Sequence, residues 1–248
     1  MNSLRIVRAE LRKLTSTRMP LAFLIVLVVI GAATAIAVAF GTDMDGSRTF
    51  ISTAADQQSL MAFAGNALVI AGLFGAIAVA REYGHGTVVL TFLTTPRRFQ
   101  AVSAQLTAAF AAGSLLGLVG AGISAGSVAA GLTATDFGLM VSVSDLAQVL
   151  AASTLAGGAG AVLGAGVGAL IRNTGGAVTG TILLLLILPP LAVQMVSETA
   201  SWIPGTLANV LSGIESTVAI GPAILAIGMW ALVPAAIGMF AVARRDVV

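Results

Sequence analysis

Few side chains in this sequence could carry out catalysis. The chain has no cysteine and a single histidine, His85. One segment, Gly122-Ile123-Ser124-Ala125-Gly126, matches the G-x-S-x-G pattern around the nucleophilic serine of many hydrolases. Such a serine needs a base beside it, and the surrounding Gly/Ala/Ser-rich segment contains no histidine, lysine or carboxylate. We therefore interpret the match as accidental and predict no catalytic site in this chain.

Nucleotide and metal sites are predicted to be absent as well. A P-loop requires the order Gly-Lys-Ser/Thr, but the only lysine, Lys13, stands between Arg12 and Leu14. One histidine without any cysteine cannot form a His/Cys metal site, so His85 is predicted to be a solvated loop residue. We expect no cofactor in this chain.

The composition explains why catalytic groups are rare. Of the 248 residues, 58% are hydrophobic and 9% are charged, and the mean hydropathy is +1.03. A soluble domain carries about 25% charged residues, so an ordinary soluble enzyme is excluded. The sequence predicts an all-α polytopic membrane protein with a single transmembrane domain over residues 1–248.

Six uncharged segments are each long enough to cross a bilayer as a helix, which takes about 20 residues. They lie near residues 19–40, 59–80, 103–128, 146–170, 175–196 and 220–242. Residues 197–219 contain Pro204 and Gly205, and this segment is predicted to form one or two partial helices at one interface.

The distribution of charge predicts the orientation. One set of loops holds 11 of the 12 basic residues: Arg5, Arg8, Arg12, Lys13, Arg18, Arg81, Arg97, Arg98, Arg172, Arg244 and Arg245. The opposite loops hold Arg48 together with Asp43, Asp45, Asp56, Asp136, Asp145, Glu198 and Glu215. Because basic loops stay in the cytoplasm, we predict a plasma-membrane protein with both termini cytoplasmic. This requires an even number of spans.

One alternative concerns the first span. Ala37-Val38-Ala39 resembles a signal-peptidase site, and cleavage there would leave five spans and an external N-terminus. A cleaved signal has an apolar core of about 7–15 residues, whereas segment 19–40 is longer. We therefore favour six spans.

The N-terminal residues 1–18 predict an amphipathic helix. Leu4, Val7, Leu11 and Leu14 recur at helical spacing. The basic residues beside this stripe are Arg5, Arg8, Arg12 and Lys13. Such a helix would lie on the inner membrane surface; the alternative is a plain basic flank of the first span.

Small residues repeat every fourth position in two spans. One ladder consists of Ala156, Gly160, Gly164 and Gly168, and the other of Gly113, Gly117, Ala121 and Ala125. Small residues let helix backbones approach closely in membranes. We favour static packing over a face that slides during transport.

Residues 81–102 form the longest predicted cytoplasmic connection. They begin with Arg81-Glu82-Tyr83-Gly84, continue through an apolar stretch from Val88 to Leu93, and end in a Pro-Arg-Arg turn. An anionic inner leaflet would repel the Glu82 carboxylate. An exposed pair with Arg81 would be worth only about 0–1 kcal/mol. A partner protein is therefore the favoured reason for this charge, and a solvated helix end is the alternative.

At this loop the sequence resembles the permease subunits of type-2 ABC exporters, in particular their actinobacterial branch. A carboxylate, Gly-Thr, an apolar run and Pro-Arg follow in order. The matching residues are Glu82, Gly86, Thr87, Pro96 and Arg97, followed by Arg98. The start, Ala9-Glu10-Leu11-Arg12-Lys13-Leu14, is similar to the elbow helix of that family. Gln105 departs from the pattern, since many members carry lysine there.

The resemblance implies a mechanism and partners. Two permease subunits, identical or different, would form the pathway, and two separate ATPase subunits would bind ATP and Mg. The loop 81–102 would fit a cleft on the ATPase, and residues 197–219 would form re-entrant helices near the outer face. The expected substrate is an amphipathic drug, lipid or peptide. Two alternatives that need no ATPase remain, a secondary carrier and a membrane scaffold.

Overall fold

The computed structural model describes residues 3–44, 46–84, 86 and 98–244, and within these ranges it contains helices and no β-strand. The helices are α1 Ser3–Thr15, α2 Met19–Phe40, α3 Ala54–Met61, α4 Ala64–Gly84, α5 Arg98–Leu132, α6 Val143–Ile171, α7 Thr174–Ile182, α8 Leu188–Met195, α9 Pro204–Leu211 and α10 Ile220–Arg244. Two 3₁₀ turns, Thr49–Ile51 and Ser197–Trp202, and a π-helical segment, Leu183–Ile187, lie between them.

Six helical stretches of the described chain are long and apolar enough to cross a membrane. They are Met19–Phe40, Ala54–Gly84, Phe99–Leu132, Val143–Ile171, Thr174–Met195 and Ile220–Val242. The predicted all-α polytopic membrane fold is thereby confirmed. Helices α4 and α5 extend into the segment predicted as the loop 81–102, because 81–84 belong to α4 and 98–102 belong to α5.

The two ends of the helical bundle differ in charge. The end that contains α1, the last turns of α4, α6 and α10, and the first turn of α5 is called the basic end. We call the acidic end the opposite one, with α3 and the connections 41–53, 133–142 and 196–219. At each end, side-chain hydrogen bonds link segments that are distant in the sequence.

Helix α6 is the centre of the bundle. Every residue from 156 to 169 is buried, and most of them are glycine or alanine. Such small residues let neighbouring helices approach the backbone of α6 on all sides. Helices α4, α5 and α10 provide most of that packing, and α7 contacts both α4 and α6. By contrast, α2 packs mainly on α5 and leaves most of its leucines and valines exposed.

The fifth span is irregular for a local reason. Pro189 and Pro190 lack the N–H that an α-helix needs. The Leu188 N–H, the last one before this pair, donates to the Leu183 carbonyl in a π-turn. The helix thus changes its hydrogen-bond register immediately before the prolines.

The segment between the fifth and sixth spans returns into the bundle. Its helix α9 buries Leu207 and Ala208 completely, in a core shared with the start of α4 and with α6 and α10. The preceding 3₁₀ turn is held to α10, since Trp230 Nε1 donates to the Trp202 carbonyl at 3.0 Å. The predicted short re-entrant helices are therefore present.

Candidate functional site

Four polar side chains meet at the basic end, and we call them the basic-end cluster: Glu10, Lys13, Glu82 and Gln105. Lys13 Nζ lies 2.7 Å from Glu10 Oε1 and 3.2 Å from Glu82 Oε1. Gln105 Nε2 donates to Glu82 Oε2 at 2.7 Å. One ammonium group thus bridges two carboxylates from distant parts of the chain.

Three helices position this cluster. Glu10 and Lys13 lie three residues apart on α1, so both project from one side of that helix. Within residues 5–15 of α1, Ile6 and Glu10 are buried, and this helix packs on α5. Glu82 lies two residues before the end of α4, and Gln105 lies in the third turn of α5. The cluster therefore ties the N-terminal helix to both stems of the connection between α4 and α5.

Burial and mutual charge shift the titration of the α1 residues. Burial raises the pKa of Glu10, and the negative charge of Glu82 raises it further, while the hydrogen bond from Lys13 opposes the shift. Burial lowers the pKa of Lys13, but the hydrogen bond to Glu10 and the charges of both carboxylates outweigh it. The pKa of Lys13 therefore lies above its ordinary value. The Lys13 ammonium is the group that makes two neighbouring carboxylates compatible here.

The cluster changes the interpretation of Glu82. From the sequence, the one intramolecular partner considered was Arg81, which left a partner protein as the reason for the charge. In the structure Glu82 is 16% exposed and bonds to Lys13 and Gln105 within the chain. Its charge is therefore accounted for without another protein, and its coupling role stays a prediction. Gln105, the departure from the family pattern, donates to this carboxylate.

The predicted elbow residues divide into two groups. Arg5, Arg8 and Arg12 are exposed and line a shallow basic groove of about 520 Å³ along α1. Lys13 also borders that groove, but its ammonium group turns to Glu10 and Glu82. The three arginines are thus free to contact a membrane surface, whereas Lys13 joins α1 to the bundle.

A second polar contact lies beside the cluster and was not foreseen from the sequence. The guanidinium carbon of Arg172 lies 5.2 Å from the centre of the Tyr83 ring, a cation–π distance. Arg172 ends α6 in the left-handed conformation, with φ 59°. Within the described residues, Arg172 Nε, Arg172 Nη2 and the Tyr83 hydroxyl are buried without a hydrogen-bond partner.

Much of the predicted coupling motif falls outside the described residues. Thr87, Pro96 and Arg97 lie there, as does His85. Gly86 is described and adopts φ 68°, and its N–H donates to the Tyr83 carbonyl at 3.2 Å. Arg98 is the first residue of α5.

The predicted packing glycines lie where α6 crosses α4. A Cβ atom on Gly160 would collide with the Leu68 carbonyl oxygen, and one on Gly164 would collide with that of Gly72. At Gly168 it would lie 2.7 Å from the Ala76 carbonyl oxygen. The α5 ladder faces a different side of α6, because Gly113 and Gly117 meet the backbone of residues 153–157.

The hydrolase-like string lies in a packed helix. The Ser124 hydroxyl is buried and donates to the Leu60 carbonyl at 3.3 Å. Among the residues that the structure describes, no three His, Cys, Asp or Glu side chains are grouped to hold a metal.

Comparison with known proteins gives no relative from which a role could be transferred. No protein-family model matches the sequence. No curated protein is significantly similar to it.

Proposed function

We propose that this chain is the membrane-spanning permease subunit of a type-2 ATP-binding-cassette exporter, driven by a separate ATPase subunit. The observation that carries the proposal is the basic-end cluster, which joins α1 to both stems of segment 85–97. That segment and its stems hold the residues of the family resemblance, from Glu82 to Arg98. A protein bound to this segment would act on α4, α5 and α1 together, because one set of polar contacts holds all three.

The position of the ionisable groups supports a transport mechanism whose energy comes from a separate protein. Carriers that couple to protons or ions place ionisable residues inside their spans. Among the described residues, the one fully buried ionisable side chain is Glu10, which lies on α1 at the basic end. With no P-loop in the sequence, the energy would come from an ATPase partner that binds ATP and Mg.

The proposed assembly contains two permease subunits, identical or different, and two ATPase subunits. Both termini of this chain lie in the cytoplasm, and the ATPases dock at the basic end. The apolar walls of the spans suit an amphipathic drug, lipid or peptide, so efflux of such compounds is the proposed transport activity.

The orientation can be tested with single cysteines, since the natural chain has none. We expect an impermeant thiol reagent applied to intact cells to label Asp136→Cys at the acidic end. Gly84→Cys at the basic end should be labelled only after the cells are opened. Labelling of Gly84→Cys from outside would overturn the proposed orientation and with it the docking of an ATPase at this end.

The partner can be tested by determining whether a neighbouring gene encodes a soluble Walker A ATPase and by co-expressing that ATPase with this chain. We expect a stable complex with equal numbers of the two subunits, and ATP hydrolysis that the permease modifies. The isolated chain should bind no ATP. Stoichiometric nucleotide binding by the isolated chain would contradict the proposal, and substrate transport without any ATPase would favour a secondary carrier.

A further inference from the structure

An apolar groove of about 560 Å³ lies on the side of the bundle between the fifth and sixth spans. Its wall includes Val167 and Leu170 of α6, Trp202, and Trp230, Val233 and Ile237 of α10, and nearly all of it is apolar. Its volume is within the range of about 300–1,000 Å³ for sites that bind small ligands.

The groove has the depth of one membrane leaflet. On α10 its lining extends from Ala226 to Ile237, which is about 16 Å along a helix axis. Half of a bilayer hydrocarbon core is about 15 Å. On α6 the lining ends at Leu170, next to the last residue of that helix, and on α10 it runs from Ile237 past Trp230, near the middle of the helix, to Ala226.

The mid-membrane end is closed by two indole side chains. Trp230 Nε1 donates to the Trp202 carbonyl at 3.0 Å, so the polar atom of that ring is satisfied. The rings therefore offer apolar surface to a ligand. This end suits the terminal methyl group of a hydrocarbon chain.

The opposite end is flanked by a cation. Arg244 follows Ile237 by seven residues, which places it on the same face of α10, and it is exposed. At the tryptophan end the nearest charged residue along the chain is acidic, since Glu198 precedes Trp202 by four residues.

We propose that this groove binds one acyl chain of an anionic phospholipid, with the chain end against Trp202 and Trp230 and the phosphate toward Arg244. The lipid belongs to the leaflet on the basic side. The length of the groove, its apolar wall and the Arg244 cation at one end together select this occupant. The inference concerns lipid binding alone and does not rest on the proposed transport function.

The chain carries its own reporters for a test, because its two tryptophans, Trp202 and Trp230, both line the groove. The full chain is reconstituted in phosphatidylcholine vesicles, and phosphatidylglycerol brominated near the end of its acyl chains is added. We expect saturable quenching of tryptophan fluorescence. Brominated phosphatidylcholine should be needed at a roughly fivefold higher mole fraction, because an arginine near the surface contributes about 1 kcal/mol.

Matched variants separate the groove from lipid that merely surrounds the protein. Val233→Phe fills the groove and should abolish the saturable phase. Leu232→Phe makes a similar change at a neighbouring exposed residue outside the groove lining and should preserve it. Arg244→Gln should reduce the preference for phosphatidylglycerol about fivefold, whereas Arg8→Gln, which removes an exposed charge on α1, should not.

Two results would overturn the proposal. Quenching that rises without saturation, equally for both lipids and in Val233→Phe, would mean that only surrounding lipid reaches the indoles. Absence of quenching would mean that something else covers the groove. A disulfide between two copies of Val233→Cys would then identify a second copy of this chain as the occupant.

Discussion

The two ends of the bundle are held together by different kinds of polar contact. At the acidic end, the Gln57 amide donates to the carbonyls of Ile51 and Gly138 and accepts from the Met140 N–H, at 2.9–3.2 Å. Gln58 and Gln148 likewise donate to backbone carbonyls at the end of α9, those of Ser212 and Leu211. At the basic end, the long-range contacts centre on ionised side chains, because Lys13 of α1 pairs with Glu82 of α4, which also accepts from the Gln105 amide of α5.

This difference indicates different roles. A neutral amide that bonds to backbone pins a loop in one arrangement, and its bonds do not depend on pH. Charged side chains at a helix end can exchange partners at modest cost, since partly exposed pairs contribute only about 0–1 kcal/mol. The basic end also leaves polar atoms of Arg172 and Tyr83 buried without a partner in the described chain, and each such group costs about 1–3 kcal/mol. The polar contacts of the acidic end thus stabilise the fold more than those of the basic end, where we propose coupling.

The largest expected effect on stability is at Gln57. Gln57→Leu removes an amide that is completely buried and leaves three backbone groups unpaired. We expect a loss of about 3 kcal/mol in the free energy of unfolding, measured by thermal denaturation in detergent. Gln58→Leu, which removes one hydrogen bond to the Ser212 carbonyl, serves as the control and should cost about 1 kcal/mol. Equal losses of unfolding free energy in both variants would contradict the larger structural role that we assign to Gln57.

A smaller effect is expected for the ion pair of α1 with α4. In a double-mutant cycle of Lys13→Met and Glu82→Gln, we expect a coupling energy of about 1 kcal/mol, because the Lys13 side chain is 41% exposed. The folded-state pKa of Lys13 is raised. Its contribution to stability should therefore be complete below the ordinary lysine pKa and be lost as the pH rises through the raised value. A Lys13→Met difference that is lost on lowering the pH from 9 to 7 instead would contradict this assignment.

The smallest effect is expected at Arg172. Arg172→Met removes a guanidinium with two unpartnered buried nitrogens and one cation–π contact. The gain from removing two unpaired donors should at least equal the loss of a contact worth about 0.5–2 kcal/mol. We expect the melting temperature to stay the same or to rise slightly. A loss as large as that of Gln57→Leu would mean that Arg172 stabilises the fold.

Features that depend on neighbouring residues could be predicted from the sequence, and those that depend on distant residues could not. Hydropathy is local, so it located the six spans, and the four-residue ladders indicated close packing at Gly160, Gly164 and Gly168. The pair of Lys13 with Glu82 joins residues 69 positions apart, and its formation depends on how α1 docks on α5. The one local signal for it was Glu10, a carboxylate three residues before the only lysine.

Two further features could not be foreseen for different reasons. The role of Gln57 depends on two connections that pack around it, and a Gln-Gln pair beside a predicted span carries no such signal. Arg172 takes a left-handed conformation that glycine or asparagine usually adopts after a helix, so its side chain gave no indication of this turn. Both are consequences of tertiary packing.

The most direct test of the account compares Glu82→Gln with Gln57→Leu in the complex with the ATPase. Glu82→Gln keeps the size of the side chain and removes its charge at the proposed coupling site. We predict that it melts within a few degrees of the natural protein and still assembles, while substrate-stimulated ATP hydrolysis and export fall together. Gln57→Leu should melt at a lower temperature and, well below that temperature, export normally. Normal export by Glu82→Gln at natural expression would contradict coupling at the basic end.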